Sequence, residues 1–305
     1  MSVLVVGSVA YDGIEAPAGK VDRTLGGSAT YISVSSSYIT QPVRLVGTVG
    51  SDFDQKDLKF FKDRGVDLEG FKVDDTGNTF FWKGRYHDDM NSRDTLDTQL
   101  NVFEHFNPVI PEAYKGSRIV CLGNIDPGLQ LKVLDQVTQP KLIVCDTMNF
   151  WISGAREALE ETISRVDVLI INDEEARELT GEPNLLKSAK LIREKGPRFL
   201  IIKKGEHGAN LYYDQSVFSV PGYPLSNIVD PTGAGDSFMG GFSGWLSRAD
   251  RFTEENLRRA VVYGSVMASF CVEAFGTGRF EELSRFDIGK RYDAFRKLST
   301  IPERS

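Results

Sequence analysis

Seven consecutive residues, Asp230-Pro231-Thr232-Gly233-Ala234-Gly235-Asp236, bring together groups suited to moving a phosphoryl group. Glycines at 233 and 235 let a backbone come close to a ligand and adopt conformations that other residues resist. The run follows a short apolar piece, Ile228-Val229. It precedes Phe238, Met239, Phe242, Trp245 and Leu246, which recur at helical spacing. Amides at a helix N-terminus point outward, and the helix dipole favours an anion there. Asp236 stands at that positive end, where a carboxylate is kept ionised and can take a proton beside a bound phosphate. Phosphoryl transfer asks for positioning, charge neutralisation and one group to accept the hydroxyl proton. The amides of Gly233, Ala234 and Gly235, with Asp236, supply two of the three. A lone G-x-G-D would read as a glycine turn with a dipole-favoured cap. The flanking Asp230-Pro231-Thr232 and the small-residue helix behind favour the chemical reading.

Such a loop needs a scaffold, and the chain alternates short apolar runs with amphipathic stretches. Val3–Val6, Val43–Val49, Arg118–Leu122, Leu142–Cys145, Val168–Ile171 and Phe199–Ile202 read as strands. Lys56–Arg64, Leu129–Val137, Arg156–Ile163, Glu174–Leu179 and Leu185–Glu194 read as helices, as do Thr253–Phe275 and Asp287–Leu298. Buried strands separated by helices predict a mainly parallel sheet covered on both faces, with ligands beyond the carboxyl ends of its strands. Residues 12–25 and 77–97 break the rhythm and read as a small β-flap over one edge; the second segment carries Phe80, Phe81, Trp82 and Tyr86. With no repeat, low-complexity tract or Pro/Gly/Ser-rich linker, residues 1–305 read as one α/β domain with that flap as a lid.

Composition removes other classes. The chain has 305 residues, 41% hydrophobic and 26% charged, which is an ordinary globular balance and excludes a fibre or a disordered chain. Its net charge of −7 argues against sequence-independent nucleic-acid binding. No apolar stretch approaches a membrane span, and the N-terminus reads as a strand, not a signal peptide. Cys121, Cys145 and Cys271 lie in apolar surroundings and read as reduced core thiols, which predicts a cytoplasmic protein. His87, His105 and His207 lack the spacing of a metal site. No G-x-x-x-x-G-K-[ST] occurs, and Gly7-Ser8-Val9-Ala10 does not supply the G-x-G-x-x-G of a dinucleotide site.

The run D-P-T-G-A-G-D-S-F resembles the signature of the ribokinase/PfkB family of sugar and nucleoside kinases, and further landmarks follow in the family's order along essentially the whole chain. Gly26-Gly27-Ser28-Ala29 is similar to the glycine pair that approaches substrate, and Asp12 to an aspartate that binds substrate hydroxyls. Asn172-Asp173-Glu174-Glu175 resembles the N-x-x-E motif, in which Asn172 and Glu175 would help hold Mg²⁺ and the nucleotide's phosphate through water. Lys203-Lys204-Gly205-Glu206-His207-Gly208 resembles the turn on the nucleotide side, so Lys203, Gly205, Gly208 and Thr232 are expected near the nucleotide. Each landmark has a plainer reading. Gly26-Gly27 fits any tight turn, and Asp12 could be a turn residue. Asn172 could cap a helix with Glu175 as its capping-box partner. Lys203 and Lys204 could be solvated strand-end charges, and Asp146 and Asn149 follow the Leu142–Cys145 strand where a sheet end faces the cleft, with contact to ligand left open.

The resemblance implies a ribokinase-like three-layer sandwich and an ATP- and Mg²⁺-dependent kinase. Asp236 would deprotonate a primary hydroxyl and Gly233–Gly235 would form the anion hole. A monovalent cation such as K⁺ near Asp230 and Thr232 is compatible with it, and a monomer or a homodimer is expected. One departure bears on substrate. Many members place Asn four residues after the second motif glycine, where this chain has Tyr31. A ring there could stack on a planar base. This tilts the expectation to a nucleoside, adenosine-type, phosphorylated at its ribose 5′-hydroxyl. A free sugar or inositol, or a non-catalytic ligand-binding protein on the same scaffold, are the alternatives.

Overall fold

Alternate residues of each central strand enter different cores, and this fixes a three-layer architecture in the computed structural model, which describes residues 1–301. In β1 (Val3–Val6), Val3 and Val5 join one apolar cluster while Leu4 and Val6 join another. In β10 (Val168–Asn172), Val168 and Ile170 face the first cluster, Leu169 and Ile171 the second. Side chains that alternate across a sheet and are apolar on both faces need helices on both. One helical layer comprises Ser28–Ser37, Ala234–Ala249 and Glu254–Cys271; the other includes Pro127–Leu134, Arg156–Ser164, Asp173–Thr180 and Leu185–Arg193. Truncating a fully buried residue such as Ile170 to Ala costs about 2–5 kcal/mol, from lost transfer energy and the cavity left behind.

The large sheet adds β4 (Val43–Gly50), β5 (Val66–Asp74), β8 (Ile119–Leu122), β9 (Leu142–Asp146), β11 (Phe199–Lys203), β12 (Ala209–Tyr213) and β13 (Ser216–Val220). Its order is β13-β12-β11-β10-β9-β8-β1-β4-β5, parallel from β11 to β5. The sequence pattern anticipates the parallel body but not β5 or the antiparallel β12 and β13 at the opposite edge. The edge strands β5 and β13 are half-exposed and lack continuous apolar runs, and β12, though buried, is short and interrupted by Asn210. Also unanticipated is the helix Ser28–Ser37. All ten of its residues are buried, so no amphipathic period marks it, and its serines bond outward instead. Ser35 Oγ donates to the carbonyl of Ser237 at 2.7 Å, and Ser36 Oγ to that of Gly240 at 2.9 Å.

A second sheet of four strands, in the order β3-β2-β6-β7, comprises β2 (Ala10–Ala16), β3 (Gly19–Gly26), β6 (Phe80–Tyr86) and β7 (Arg93–Gln99). Residues 12–25 and 77–97 fall within or beside it. Its outer face is held by ion pairs: Glu15 meets Lys83 at 3.2 Å and Arg85 at 2.8 Å. Tyr11 joins this sheet to the helix Gln55–Asp63 through Asp57, at 2.7 Å.

Candidate active site

The helix Ala234–Ala249 starts at the carboxyl end of the large sheet, and close packing fixes where it starts. Gly240 has no room for a β-carbon, which would come 2.5 Å from the Ile32 carbonyl; at Gly241 it would come 2.6 Å from that of Tyr263. The helix is therefore wedged between its two neighbours. Gly233 caps it at φ 75°, a left-handed conformation that favours glycine, and its Cα lies against the Tyr31 ring. A side chain at Gly235 would strike the ammonium of Lys203, so that cation lies against the first turn of the helix. Asp230, fully buried, staples the loop: one oxygen accepts from the Thr232 amide at 2.8 Å, the other from the Gly276 amide at 3.0 Å. Asp236 occupies the first helical turn, and its Oδ1 is buried with no hydrogen-bond partner within the chain.

Asp236 belongs to a group of ionisable side chains gathered from three strand ends. Asp146 ends β9, and its Oδ2 lies 3.7 Å from Nζ of Lys203, which ends β11. Asn172 ends β10 and caps the next helix. Its side chain accepts from the Glu175 amide at 2.7 Å, and Glu175 Oε2 accepts from the Asn172 amide at 2.8 Å. The capping-box reading of this pair is thus realised, with one Glu175 oxygen outside it. Burial, with Asp146 adding repulsion, pushes the Asp236 carboxyl up to about 7, against the opposing pull of Lys203 and Arg93. Burial and Asp146 likewise push Glu175 up to about 7. At Lys203 burial disfavours the charge, but Asp146, Glu175 and Asp236 outweigh it and hold the ammonium protonated.

The small sheet supplies the opposite wall. Asp12 on β2 is 4% exposed, and its carboxylate fills the space where Gly26 would otherwise carry a β-carbon. Burial, with Asp230 and Asp236 adding to it, raises Asp12 to about 8, although the Gly27 amide pulls the other way. Gly27, at φ 91°, lies against the Ser8 carbonyl, where a β-carbon would come within 2.5 Å. Asp12 pairs with Trp82 in the β2–β6 register, so both side chains share one face. The Trp82 ring folds over Gly84 and donates to Thr95 Oγ1 at 3.3 Å. Tyr86, on the same face, accepts from Thr232 Oγ1 at 3.0 Å and so ties the small sheet to the anion loop.

Tyr31 does not offer a stacking face: the ring is 1% exposed, one side lies on Gly233, and its hydroxyl is buried without a partner. Gly205 and Gly208 lie further out, at φ 52° and 86°, with Gly205 facing Asn91 of the small sheet's turn. Asn149 turns to Glu178. Arg93, which no sequence pattern singles out, sits directly opposite Tyr86. Among the described residues no three His, Cys, Asp or Glu side chains cluster as a metal cage. The Asn172–Glu175 donors suit a cation that keeps its own water shell.

The family model described as pfkB family carbohydrate kinase matches residues 120–283. A cytidine kinase from Thermococcus kodakarensis is 30% identical over 263 residues, 85% of this chain and 92% of that protein. A nucleoside kinase from Methanothermobacter thermautotrophicus is 26% identical over 264 residues, 83% of this chain and 79% of that one. The solved structure of a Burkholderia thailandensis nucleoside kinase in complex with inosine superposes with a TM-score of 0.79 at 21% identity, covering 96% of this chain and 98% of that one. With a glycine-lined helix mouth, a buried carboxylate beside it and this likeness along most of its length, the chain belongs to the pfkB family of carbohydrate kinases and is an ATP-dependent sugar or nucleoside kinase.

Proposed function

We propose that the chain phosphorylates the 5′-hydroxyl of a nucleoside. The observation that carries this reading is the pairing of Asp12 with Trp82 on one face of the small sheet. A carboxylate for ribose hydroxyls stands beside a flat, partly accessible ring for a base, where stacking contributes roughly 1–3 kcal/mol. With Tyr31 enclosed, Trp82 takes over the stacking role. The similarity to a cytidine kinase supports the same class.

Asp236 accepts the proton of the 5′-hydroxyl as its oxygen attacks the γ-phosphorus and the bond to the ADP oxygen breaks. The amides of Gly233, Ala234 and Gly235, backed by Lys203, hold the negative charge gathering on the phosphoryl oxygens. Asp12, with Gly26 and Gly27 at its side, positions the ribose. Thr232, Gly205 and Gly208 border the nucleotide. Kinases of this family use ATP with Mg²⁺, which when bound neutralises phosphate charge; Asn172 and Glu175 would hold its waters. The small sheet closes over the acceptor and excludes water.

The test is ADP release with a panel of nucleosides, pentoses, hexoses and inositols, repeated for Asp236→Asn. Nucleosides, with cytidine, adenosine and inosine compared side by side, are expected to be turned over fastest. The variant is expected to lose on the order of 10²–10⁴-fold in kcat. A free sugar or inositol preferred over every nucleoside overturns the substrate class, and an unchanged kcat overturns the base.

A further inference from the structure

Away from the cleft, a cavity of about 320 Å³ opens at one edge of the large sheet, between β4 and β5 and the segment 101–109. Val46 and Thr48 of β4 and Lys72 and Asp74 of β5 alternate onto this face, the one that carries the second apolar cluster. The cover here is the short helical turn Asn101–His105 and the irregular run after it, and Val102, Phe106 and Val109 make the cavity's apolar wall. None of the residues placed above at the acceptor, the nucleotide or the metal lines it.

Lys72 and His105 stand exposed at the rim, and neither makes an ion pair among the described residues. Asp74, beside them, is taken by Thr76: its Oδ1 accepts from that amide at 2.9 Å and from the hydroxyl at 2.5 Å. An apolar space with two uncommitted nitrogen donors at its mouth suits a molecule with an apolar body and an anionic head. Asp74 disfavours a second negative charge on it. The wall is continuous with the root of the small sheet. The Phe106 ring stacks on Phe103 with centres 5.0 Å apart, and Phe103 on Phe80 at 5.4 Å. Phe80 opens β6, the strand that carries Trp82 and Tyr86. Beside this stack the Val102 amide donates to the Asn78 carbonyl at 3.2 Å, and the Asn101 side chain to that of Thr79 at 2.9 Å.

We propose that this cavity binds a small organic monocarboxylate with an aromatic or branched aliphatic body, and that the occupant braces the root of the small sheet. The carboxylate accepts from Lys72 and His105, and the body packs on Val46, Val102 and Phe106. Filling the space beside Phe106 restricts the Phe106–Phe103–Phe80 stack and holds β6 in its seated position. A ligand shifts such an equilibrium only by its preference for one of the two positions, and here that preference comes from contacts with the wall. The consequence for the reaction, tighter binding of the acceptor, rests on the reading of the small sheet as the acceptor's wall.

The experiment titrates benzoate, phenylacetate and 3-methylbutanoate, each against its amide, into the full chain and follows the valine methyl signals by NMR. At least one acid is expected to shift Val46, Val102 and Val109 saturably, with a Kd of about 5 mM or below. Its amide should bind about tenfold or more weakly, having lost a charge-assisted contact, and Lys72→Gln should weaken the acid by a similar factor. Val109→Trp, at a half-exposed position, should fill the cavity and abolish the shifts. Both variants should keep Tm within about 2 °C. With the acid bound, hydrogen exchange of the β6 amides should slow about threefold or more, and the KM for the best panel acceptor should fall about twofold with the KM for ATP unchanged. No saturable shift with any of the three acids, or shifts matched by the amides or untouched by Lys72→Gln, overturns the site. Unaltered exchange in β6 overturns the brace. Slowed exchange with an unchanged acceptor KM, or no turnover of any panel acceptor, defeats the reading of the small sheet as the acceptor's wall and leaves the cavity established.

Discussion

The helix mouth and the small sheet face each other across one cleft but are built by opposite means. The mouth is held by shape. Gly240 and Gly241 leave no space beside Ile32 and Tyr263, Gly233 lies on Tyr31, and Asp230 ties the loop to Gly276. The small sheet is held by exposed ion pairs on its outer face, by the Tyr11–Asp57 bond at one end and by the Tyr86–Thr232 bond at the other. Its last strand, β7, is exposed along its whole length. Close-packed glycine contacts tolerate almost no displacement, whereas exposed ion pairs are weak and re-form easily. In the reaction proposed above, the close-packed half sets the geometry of transfer and the ion-paired half adapts to the acceptor.

The sharpest way to break this contrast is Gly233→Ala. A methyl group would meet the Tyr31 ring and force the backbone out of φ 75°, spoiling the aim of the amides. A kcat loss of roughly 10²–10³-fold is expected, with a lower Tm; near-normal turnover would show that the mouth is not rigid. Next comes Asp12→Asn, on the adaptable side. Exchanging the carboxyl for an amide weakens a hydrogen bond to the acceptor and should cost about 0.5–1.5 kcal/mol, read as a rise in acceptor KM with kcat and ATP KM little changed. A kcat effect as large as that at Gly233 would erase the division.

A smaller effect concerns pH. Asp12 at about 8, and Asp236 and Glu175 at about 7, bind protons more tightly in the folded chain than carboxyls do in the unfolded one. Their contribution to stability is complete below about pH 4 and is lost as pH rises through 7 to 8. The ligand-free chain should therefore lose Tm between pH 5.5 and 8.5, and Asp12→Asn should make that loss shallower. A fall of equal size in the variant would mean that Asp12 is not held protonated. The smallest effect is expected at the outer face: Glu15→Gln should leave Tm within about 1 °C and kcat unaltered. A large change there would mean that the small sheet depends on its ion pairs after all.

Legibility in the sequence divides along the same line. The anion loop is readable because a turn between an apolar piece and a helix needs glycines at fixed places, and each of Gly233, Gly235 and Asp236 lies where that logic puts it. Asn172 and Glu175 are readable as a capping box, a local pattern that holds wherever the helix sits. Tyr31 misleads because its letter gives a ring but not which side is filled, and Gly233, some two hundred residues away, fills it. Asp146 stands at a strand end, and its ionic partnership with Lys203 appears only when β9 and β11 lie in one sheet. Arg93 is invisible because Arg-Asp-Thr-Leu-Asp-Thr-Gln has no apolar alternation to mark an inner face. Its register with Tyr86 also depends on the irregularity between Lys83 and Gly84, where pairing skips Leu96.

The bond between Tyr86 and Thr232 carries one more implication. It uses a hydroxyl of the loop that receives the phosphoryl group in the reaction proposed above, so undocking the small sheet removes one anchor of that loop. Amino-acid changes elsewhere on β6 and β7 can retune acceptor choice over evolutionary time, provided this hinge-pin survives.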